Sequence, residues 1–428
     1  MENKDKTRHY LVIDLKSFYA SVECVERGLD PMTTNLVVAD PTRSERTICL
    51  AVSPSMKALG VKNRCRVFQI PKGIEYIMAP PRMRKYLEYS AAIYGIYLKY
   101  ISKDDIHVYS IDEAFIDVTD YLHKYGRTPK EMAVFLMDAI AEETGIRATC
   151  GVGTNMYLAK IALDITAKHA PDFIGELDET SYKLTLWDHR PLTDFWRIGP
   201  GISSRLKKMG IHTMRELAHA DETRLYSEFG IDAELLIDHA YGIEPTTIAD
   251  IKRYKPRTES ISNGQVLMRD YTADEARIIV KEMTDMLCLE MVERNSVTDS
   301  VTVSVRYSAR YEDPPTKGTA HLDRKTNADS LIIPEVVKAY DKCVLLDRPV
   351  RGIIISCNNL TEDTGIYQTS LFDGMNGMSP EKNKNIQKAV IDIKKRFGKN
   401  AIIKGISFED AATGRERNRQ IGGHKDGE

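Results

Sequence analysis

Acidic residues stand at the ends of apolar segments that have the composition of buried strands. Residues 10–15 form a short apolar run with Asp14 near its end, and a tight connection between two further strand-like segments carries Asp112 and Glu113. An ionised carboxylate in such a position is costly unless it binds a cation or accepts several hydrogen bonds. We therefore expect a fold in which these strand ends meet and their charges share a partner.

The three acids have the chemistry of a site for hard divalent cations. A tight connection at residues 111–113 interrupts strand alternation, so that Asp112 and Glu113 can face one side while Asp14 on a neighbouring strand completes an oxygen cage. Two Mg²⁺ ions in such a cage suit phosphoryl transfer, because one lowers the pKa of an attacking hydroxyl and the other neutralises a leaving pyrophosphate. The alternative is that these acids only cap turns at strand ends.

The composition is that of a globular chain with several domains. The 428 residues correspond to about three domains, and 60 Lys+Arg against 62 Asp+Glu give a net charge of −2. The seven cysteines form no Cys-x-x-Cys pair, which fits reduced cytosolic thiols better than a disulfide framework or a zinc site. A polar N-terminus and the lack of a run of roughly 18 apolar residues predict neither secretion nor membrane insertion.

Strands and helices alternate over the first 170 residues, which predicts an α+β layer. A helix is expected after Ser17 with Ser17 as its cap, a strand at 47–52 and a helix at 156–169. From about residue 175 the pattern changes to short helices, with a glycine-punctuated turn at 198–206.

The second half of the chain predicts another α+β module. A basic, proline-containing stretch at 243–257 is typical of a linker near a polyanion. Beyond it, a helix is expected at 273–292 and strands at 300–307 and 350–357. A further helix is expected at 383–397, and the last residues, 415–428, have the composition of a disordered end.

Three ordered motifs carry a resemblance to a known family. They are Ile13-Asp14-Leu15-Lys16-Ser17-Phe18-Tyr19-Ala20-Ser21-Val22-Glu23, Tyr109-Ser110-Ile111-Asp112-Glu113-Ala114-Phe115 and Leu158-Ala159-Lys160-Ile161-Ala162. With the glycine-bearing turn and the later module, the chain over roughly residues 8–360 resembles the Y-family translesion DNA polymerases, nearest the UmuC/DinB-like bacterial branch.

The resemblance implies an α+β multidomain fold, a right-hand polymerase with palm, fingers, helical thumb and an α+β little finger. The implied domains are a palm at 1–170 with fingers inserted at about 20–75, a thumb at 171–242 with a helix-hairpin-helix, a basic linker at 243–257, a little finger at 258–360 and a flexible C-terminal tail at 361–428.

The resemblance also implies roles for the residues around the acids. Asp14 and Asp112 would bridge two Mg²⁺ ions, Glu113 would assist the ion at the primer 3′-hydroxyl, and the carbonyl of Leu15 would add a ligand. Tyr19 would be the sugar gate that excludes a ribose 2′-hydroxyl. The alternative for Tyr19 is an aromatic anchor at a helix start.

Nucleotide contacts follow from the same resemblance. Phe18 is either a nucleotide contact or a core residue. Lys57 and Lys160 would contact the triphosphate. Without the resemblance, Lys160 would be interpreted as an ordinary solvated lysine on a helix. Many DinB-like members carry a Tyr and an Arg where this chain has Pro54 and Lys57, and a lysine lacks the planar fork that grips phosphate oxygens in pairs. Ile48 and Leu50 would either roof the nascent base pair or belong to a sheet core.

DNA contacts are expected in two places. On the helix-hairpin-helix they are Gly199, Gly201, Arg205, Lys207 and Lys208, where backbone N–H groups at a helix N-terminus and basic side chains would hold a phosphate. The alternative there is a simple helix break. On one strand face they are Thr302, Ser304, Arg306 and Ser308, which would follow the template backbone unless this is only a solvated sheet face.

A short peptide near the C-terminus resembles the clamp-binding peptide of bacterial polymerases. Gln368 is followed by two spacers and the apolar pair Leu371 and Phe372, which can fill a pocket on a sliding clamp. The alternative is that the apolar pair folds back onto the little finger.

The sequence thus predicts an error-prone, template-directed DNA polymerase for translesion synthesis without proofreading. Its expected substrates are primer-template DNA and deoxynucleotide triphosphates, its cofactor two Mg²⁺, and its setting the DNA-damage (SOS) response in the bacterial cytoplasm, at the nucleoid when active. We expect a monomer, with accessory subunits left open. The rival interpretations are an inactive DNA-binding or clamp-interaction protein of this fold and a palm-domain nucleotide cyclase.

Overall fold

The apolar run at the N-terminus forms a central strand. In the computed structural model, which describes residues 7–365 and 380–427, this is strand β1 (Tyr10–Leu15). Leu11, Val12 and Ile13 are fully buried, as expected for a strand that is covered on both faces. β1 pairs with an antiparallel neighbour on each side, and this position determines where Asp14 lies.

Helices and further strands alternate along the next part of the chain, as predicted. They are α1 (Phe18–Val25), β2 (Leu36–Val38), β3 (Ala51–Val52), α2 (Pro54–Ala58), β4 (Ile77–Ala79), α3 (Met83–Leu98), β5 (Ile106–Val108), β6 (Glu113–Asp117), α4 (Thr119–Tyr125), α5 (Pro129–Thr144), β7 (Ala148–Gly153), α6 (Met156–Ile161), β8 (Ile174–Leu177) and α7 (Glu179–Thr185). The main sheet has the order β5-β6-β1-β7-β8, and a smaller sheet has the order β3-β2-β4.

Two local predictions differ from the structure. The strand expected at 47–52 is reduced to β3, because Ile48 is 40% exposed and makes only an isolated bridge to Arg66. Ser17 does precede α1, but its side chain makes no capping bond. Its backbone is left-handed, with φ of 49°. Ser17 therefore occupies the predicted position before the helix but does not cap it through its hydroxyl.

Glycines on β7 allow a helix to lie directly on the main sheet. A Cβ atom at Gly151 would lie 2.0 Å from the carbonyl oxygen of Ala159, and one at Gly153 would lie 2.2 Å from the Ala159 nitrogen. The expected long helix at 156–169 is α6 followed by a π-helical turn over Ala162–Thr166. The sequence of small residues therefore sets the height of Lys160 above the sheet.

Short helices form the next part of the chain, and most of them share a core with α6. They are α8 (Pro200–Lys208), α9 (Met214–Ala218), α10 (Glu222–Phe229), α11 (Asp232–Tyr241) and α12 (Ile248–Arg253). Their shared core includes Leu206, Leu217 and Leu236. The structure differs from the predicted linker at 243–257, since Ile248 is buried in a core cluster with Tyr10. The first compact unit, Met1–Tyr254, contains this helix.

The second unit, Lys255–Asp426, has a four-stranded antiparallel sheet and helices. Its elements are β9 (Glu259–Tyr271), α13 (Ala273–Glu293), β10 (Ser296–Tyr307), β11 (Thr316–Thr326), α14 (Asp329–Cys343), β12 (Val350–Glu362), α15 (Pro380–Phe397), α16 (Gly414–Arg417), β13 (Gln420–Ile421) and β14 (His424–Lys425). The sheet order is β11-β10-β12-β9, and α13 and α14 contribute to the same core as β10 and β12. The predicted helix and both predicted strands are present, although each strand is longer than expected.

The C-terminal residues that the structure describes are folded onto the second unit, so the prediction of a flexible tail is wrong for residues 380–427. The Glu282 carboxylate accepts hydrogen bonds from the backbone N–H groups of Thr413 and Gly414, at 2.9 and 3.1 Å. Ala411 is buried in the core. The polar composition of these residues predicted disorder, but Glu282, a buried acid on α13, holds them in place through these hydrogen bonds. Gln368, Leu371 and Phe372 lie outside the described residues.

Within the described residues, we find no helix with the length and apolar content that crossing a membrane requires.

We predict that Gly151→Ala destabilises the protein by about 3 kcal/mol, because the added methyl group would collide with a backbone carbonyl that cannot move alone. Gly95→Ala in α3 is the matched control, since a Cβ there meets no atom within 4 Å. This control should be neutral or gain up to about 1 kcal/mol from helix propensity. Urea denaturation of both variants checks this, and equal stabilities would contradict the packing described.

Candidate active site

Strand pairing brings the three predicted acids to one end of the main sheet. Asp14 on β1 lies directly opposite Glu113 on β6 in the antiparallel register. The backbone N–H of Leu15 donates to the carbonyl of Asp112 at 2.9 Å. This bond holds Asp112, the residue before Glu113, beside the end of β1. The structure therefore brings together Asp14, Leu15, Asp112 and Glu113 from segments about 100 residues apart in sequence.

A tight turn presents Asp112, as the sequence predicts. The backbone N–H groups of Tyr109 and Ser110 both donate to the Glu113 carbonyl, at 3.0 and 3.1 Å. The Ser110 hydroxyl donates to Asp112 Oδ1 at 2.6 Å. These bonds close the turn and hold the Asp112 carboxylate at the surface of the sheet end.

Asp14 carries the most unfavourable charge of the site. No donor bonds its carboxylate within residues 7–365 and 380–427. Burial, together with the negative charges of Asp112 and Glu113, raises the pKa of Asp14 to about 7. A carboxylate that is desolvated beside two others is a position that a bound cation would relieve.

Glu113 is held by a buried lysine. Lys160 Nζ lies 2.9 Å from both Glu113 carboxylate oxygens and 3.1 Å from Asp164 in the π-helical turn. Burial raises the pKa of Glu113 even though Lys160 opposes this. Burial alone would lower the pKa of Lys160, but Asp164 and Glu113 outweigh it and the pKa is raised. Lys160 is thus a charged partner of the acids, and its predicted contact with the triphosphate stays a prediction.

The donor set fits a hard divalent cation only in part. Asp14, Asp112 and the Leu15 carbonyl are oxygen donors of the kind that Mg²⁺ prefers. In the part of the chain that the structure describes, however, no three His, Cys, Asp or Glu side chains are arranged so that they could hold a metal ion. Lys160 donates to Glu113, and the Ser110 hydroxyl donates to Asp112. Asp14 and Asp112 are therefore the candidate ligands, with Glu113 next to them.

The ring of Tyr19 is supported from behind. It stacks on Tyr86 at a centroid distance of 4.3 Å and an interplanar angle of 12°. The Tyr86 hydroxyl donates to the buried Glu23 carboxylate at 2.8 Å, and Arg82 donates to the same carboxylate at 2.9 and 3.0 Å. Phe18, by contrast, is only 3% exposed, so its ring is a core residue and is not presented to a ligand.

Lysines other than Lys160 face the acids. Desolvation lowers the pKa of Lys57, the negative charge of Asp14 opposes this, and the positive charge of Lys168 adds to it. Sequence reasoning missed Lys168, whose exposed ammonium lies one helical turn after Asp164, at 3.9 Å. Pro54 begins α2 with Ser53 as its cap, a place where proline is favoured.

The predicted fingers residues and thumb residues are partly accessible. Ile48 is exposed and Leu50 is half-buried, which excludes a sheet core for Ile48. Gly199 caps α8, and a Cβ on Gly199 or Gly201 would meet no atom within 4 Å, so this helix N-terminus is open. Arg205 instead donates to the Glu228 carbonyl at 3.1 Å and lies over the Phe229 ring.

The predicted polar strand face exists on β10, with one correction. Val301, Val303 and Val305 are fully buried, so the alternating Thr302, Ser304 and Arg306 point away from the core. Ser308, which lies beyond the end of the strand, is 6% exposed and does not continue this face. The Thr302 hydroxyl bonds Thr319 on β11.

Comparison with known proteins identifies the family. The sequence matches the impB/mucB/samB family over residues 13–164 and the C-terminal domain of that family over residues 258–371. The chain belongs to the impB/mucB/samB family. "Putative UV-damage repair protein UvrX" of Bacillus subtilis is 30% identical over 98% of both chains, and "DNA polymerase IV 2" of the same organism is 31% identical over 98% of this chain and 99% of its own.

The fold is also that of a known polymerase. A Y-family DNA polymerase chimera superposes with a TM-score of 0.63 at 21% identity, over 83% of this chain and 99% of its own. The predicted right-hand α+β multidomain fold is confirmed, and so is the resemblance to the UmuC/DinB-like branch of the Y-family. All three acids of the candidate active site lie inside the first region that matches the impB/mucB/samB family.

We predict that Asp14→Asn stabilises the metal-free protein at pH 8. The folded-state pKa of Asp14 is about 7, above its usual value of 3.8, so the stability that its protonated form contributes is fully present only below about pH 4 and is lost progressively as pH rises to about 7. Melting temperatures of wild type and variant in a chelator should agree most closely near pH 4, differ already at pH 5 and differ most at pH 8.

Asp138→Asn, an exposed acid on α5, serves as the control and should show no such divergence. Adding Mg²⁺ at pH 8 should raise the melting temperature of the wild type and not that of Asp14→Asn. A variant that is less stable than wild type at every pH would contradict this description of Asp14.

Proposed function

We propose that this member of the impB/mucB/samB family adds deoxynucleotides to a primer 3′-hydroxyl at the Asp14/Asp112/Glu113 site. The chain is a DNA-directed DNA polymerase of the translesion class, since its family and its DNA polymerase IV relatives over nearly the full length confirm that prediction. Primer-template DNA and deoxynucleotide triphosphates are its substrates. The observation that carries the site assignment is an Asp14 carboxylate without a donor beside two further acids.

The three acids would have different roles because their surroundings differ. When bound, divalent cations supply Lewis acidity at the primer hydroxyl and neutralise charge on the triphosphate. Asp14 and Asp112 would hold these cations, which we take to be two Mg²⁺, together with the Leu15 carbonyl. Lys160 favours the ionised form of Glu113 against the effect of burial on its pKa, since its ammonium lies 2.9 Å from both carboxylate oxygens, and would orient Glu113 toward the primer end.

Lys57 and Lys168 would bind the triphosphate. Both residues are exposed, Asp14 favours the charged form of Lys57, and Lys168 Nζ lies 3.9 Å from Asp164. A lysine offers a point charge without the planar fork of arginine, so we expect a less directional grip on the phosphate oxygens. Lys160, which the sequence suggested for this role, would act through Glu113 instead.

The remaining contacts place the two ends of the substrate. The open N-terminus of α8, with Gly199, Gly201 and Lys207, would hold a primer-template phosphate. The β10 face would follow the template backbone. Gln368, Leu371 and Phe372 would dock a sliding clamp, and we place the protein as a monomer in the bacterial cytoplasm, at the nucleoid when active.

Replacing Asp112 by Ala tests the site. Mg²⁺-dependent primer extension should fall by several orders of magnitude while primer-template affinity stays within a fewfold of wild type, because residues that act as one unit fail together. Asp138→Ala is the matched control and should extend normally. Near-normal extension by Asp112→Ala would exclude the assignment, and a wild type without any extension would favour an inactive DNA-binding protein.

Replacing Tyr19 by Ala tests the sugar gate. The Tyr86 stack holds the Tyr19 ring in place, so its removal should admit ribonucleotides and lower the ratio of kcat/KM for deoxynucleotide over ribonucleotide by at least about tenfold. Tyr19→Phe keeps the ring and should keep the ratio. An unchanged ratio in Tyr19→Ala would mean that another residue excludes the 2′-hydroxyl.

A further inference from the structure

One tryptophan of the first unit packs against two cores. Trp196 is half-buried and lies against the helical core that contains Leu206 and Leu236. It also lies against the cluster that contains Tyr10, Phe115 and Ile248, which belongs to the main sheet. Its ring is 6.1 Å from His239 of α11 on one side and 5.7 Å from Phe115 of β6 on the other.

The indole of Trp196 also forms a hydrogen bond to Tyr109, the first residue of the turn 109–113 that presents Asp112, which we call the catalytic turn. Trp196 Nε1–H donates to the Tyr109 hydroxyl at 3.1 Å, and the two rings meet edge to face at 6.1 Å. The Tyr109 backbone N–H donates to the Glu113 carbonyl, and Lys160 Nζ lies 6.0 Å from the Tyr109 ring. Tyr109 is thus bonded to the turn that presents Asp112, and its ring lies near the lysine that holds Glu113.

The backbone after Trp196 fixes its distance from the phosphate-binding turn. Arg197 is left-handed, with φ of 75°, a conformation that a residue with a side chain keeps only when its surroundings impose it. This bend directs Trp196 toward the sheet while Ile198 enters the helical core at 4% exposed. Gly199, the cap of α8, follows immediately.

We propose that Trp196 is a positioning residue that couples the phosphate-binding turn at Gly199 to the catalytic turn through its hydrogen bond to Tyr109. The inference rests on the proposed function and names a determinant of that same site. Holding a primer-template phosphate at α8 would keep Trp196 in place, and Trp196 would keep Tyr109, the turn of Asp112 and hence the cation ligands in register. The coupling acts within one compact unit, Met1–Tyr254.

A double-mutant cycle tests the coupling. Trp196→Phe removes the donor and keeps an aromatic ring, and Tyr109→Phe removes only the acceptor. Each single variant, and the double variant, should slow single-turnover incorporation by the same factor, about three- to tenfold. The reason is that each of the three proteins lacks the same single hydrogen bond, so the second substitution removes nothing more. The Mg²⁺ concentration at half-maximal rate should rise in parallel, a change that loss of packing alone would not produce.

Trp187→Phe is the matched control, because the chain contains two tryptophans and Trp187 Nε1–H bonds the Ala240 carbonyl inside the helical core at 2.7 Å. It should lower the melting temperature without moving the Mg²⁺ midpoint. Losses that multiply in the double variant, or a Trp196→Phe that changes only melting temperature, would overturn the coupling. A wild type that incorporates no nucleotide would refute the proposed function, and this inference with it.

Discussion

The unfavourable charge of Asp14 is the constraint around which the active site of this chain is arranged. The residue is the last but one of a strand that is buried on both faces, and the antiparallel register puts Glu113 opposite it and Asp112 next to it. Three carboxylates can share such a place only if cations are available. Lys160 supplies one inside the protein, for Glu113, and in our proposal Asp14 and Asp112 would hold divalent cations.

The arrangement around the acids depends on close packing at a distance from them. Gly151 and Gly153 let α6 rest on the sheet, and that contact sets the position of Lys160. Tyr86 and the buried Glu23 hold the Tyr19 ring from the other side. Few residues would take part in the chemistry, but their positions depend on the packing of the main sheet, α3 and α6.

Apolar runs that end in carboxylates predicted the sheet that carries Asp14, Asp112 and Glu113, and the three ordered motifs predicted the family. Sequence reasoning failed where a distant partner decides the local structure. The carboxylate partners of Lys160 lie 47 and 4 residues away, so spacing alone did not show these contacts, and the predicted contact of Lys160 with the triphosphate stays a prediction. The C-terminal residues looked disordered because their anchor, Glu282, lies more than 130 residues earlier. Ser17 looked like a cap because its left-handed backbone is not visible in composition.

The most direct test is a crystal structure of the protein with primer-template DNA, a non-hydrolysable deoxynucleotide triphosphate and Mn²⁺ in place of Mg²⁺. The account predicts anomalous peaks within about 2.2 Å of carboxylate oxygens of both Asp14 and Asp112, with Lys160 still bonded to Glu113. Peaks bound by other carboxylates, or a Lys160 that leaves Glu113 for the triphosphate, would contradict it.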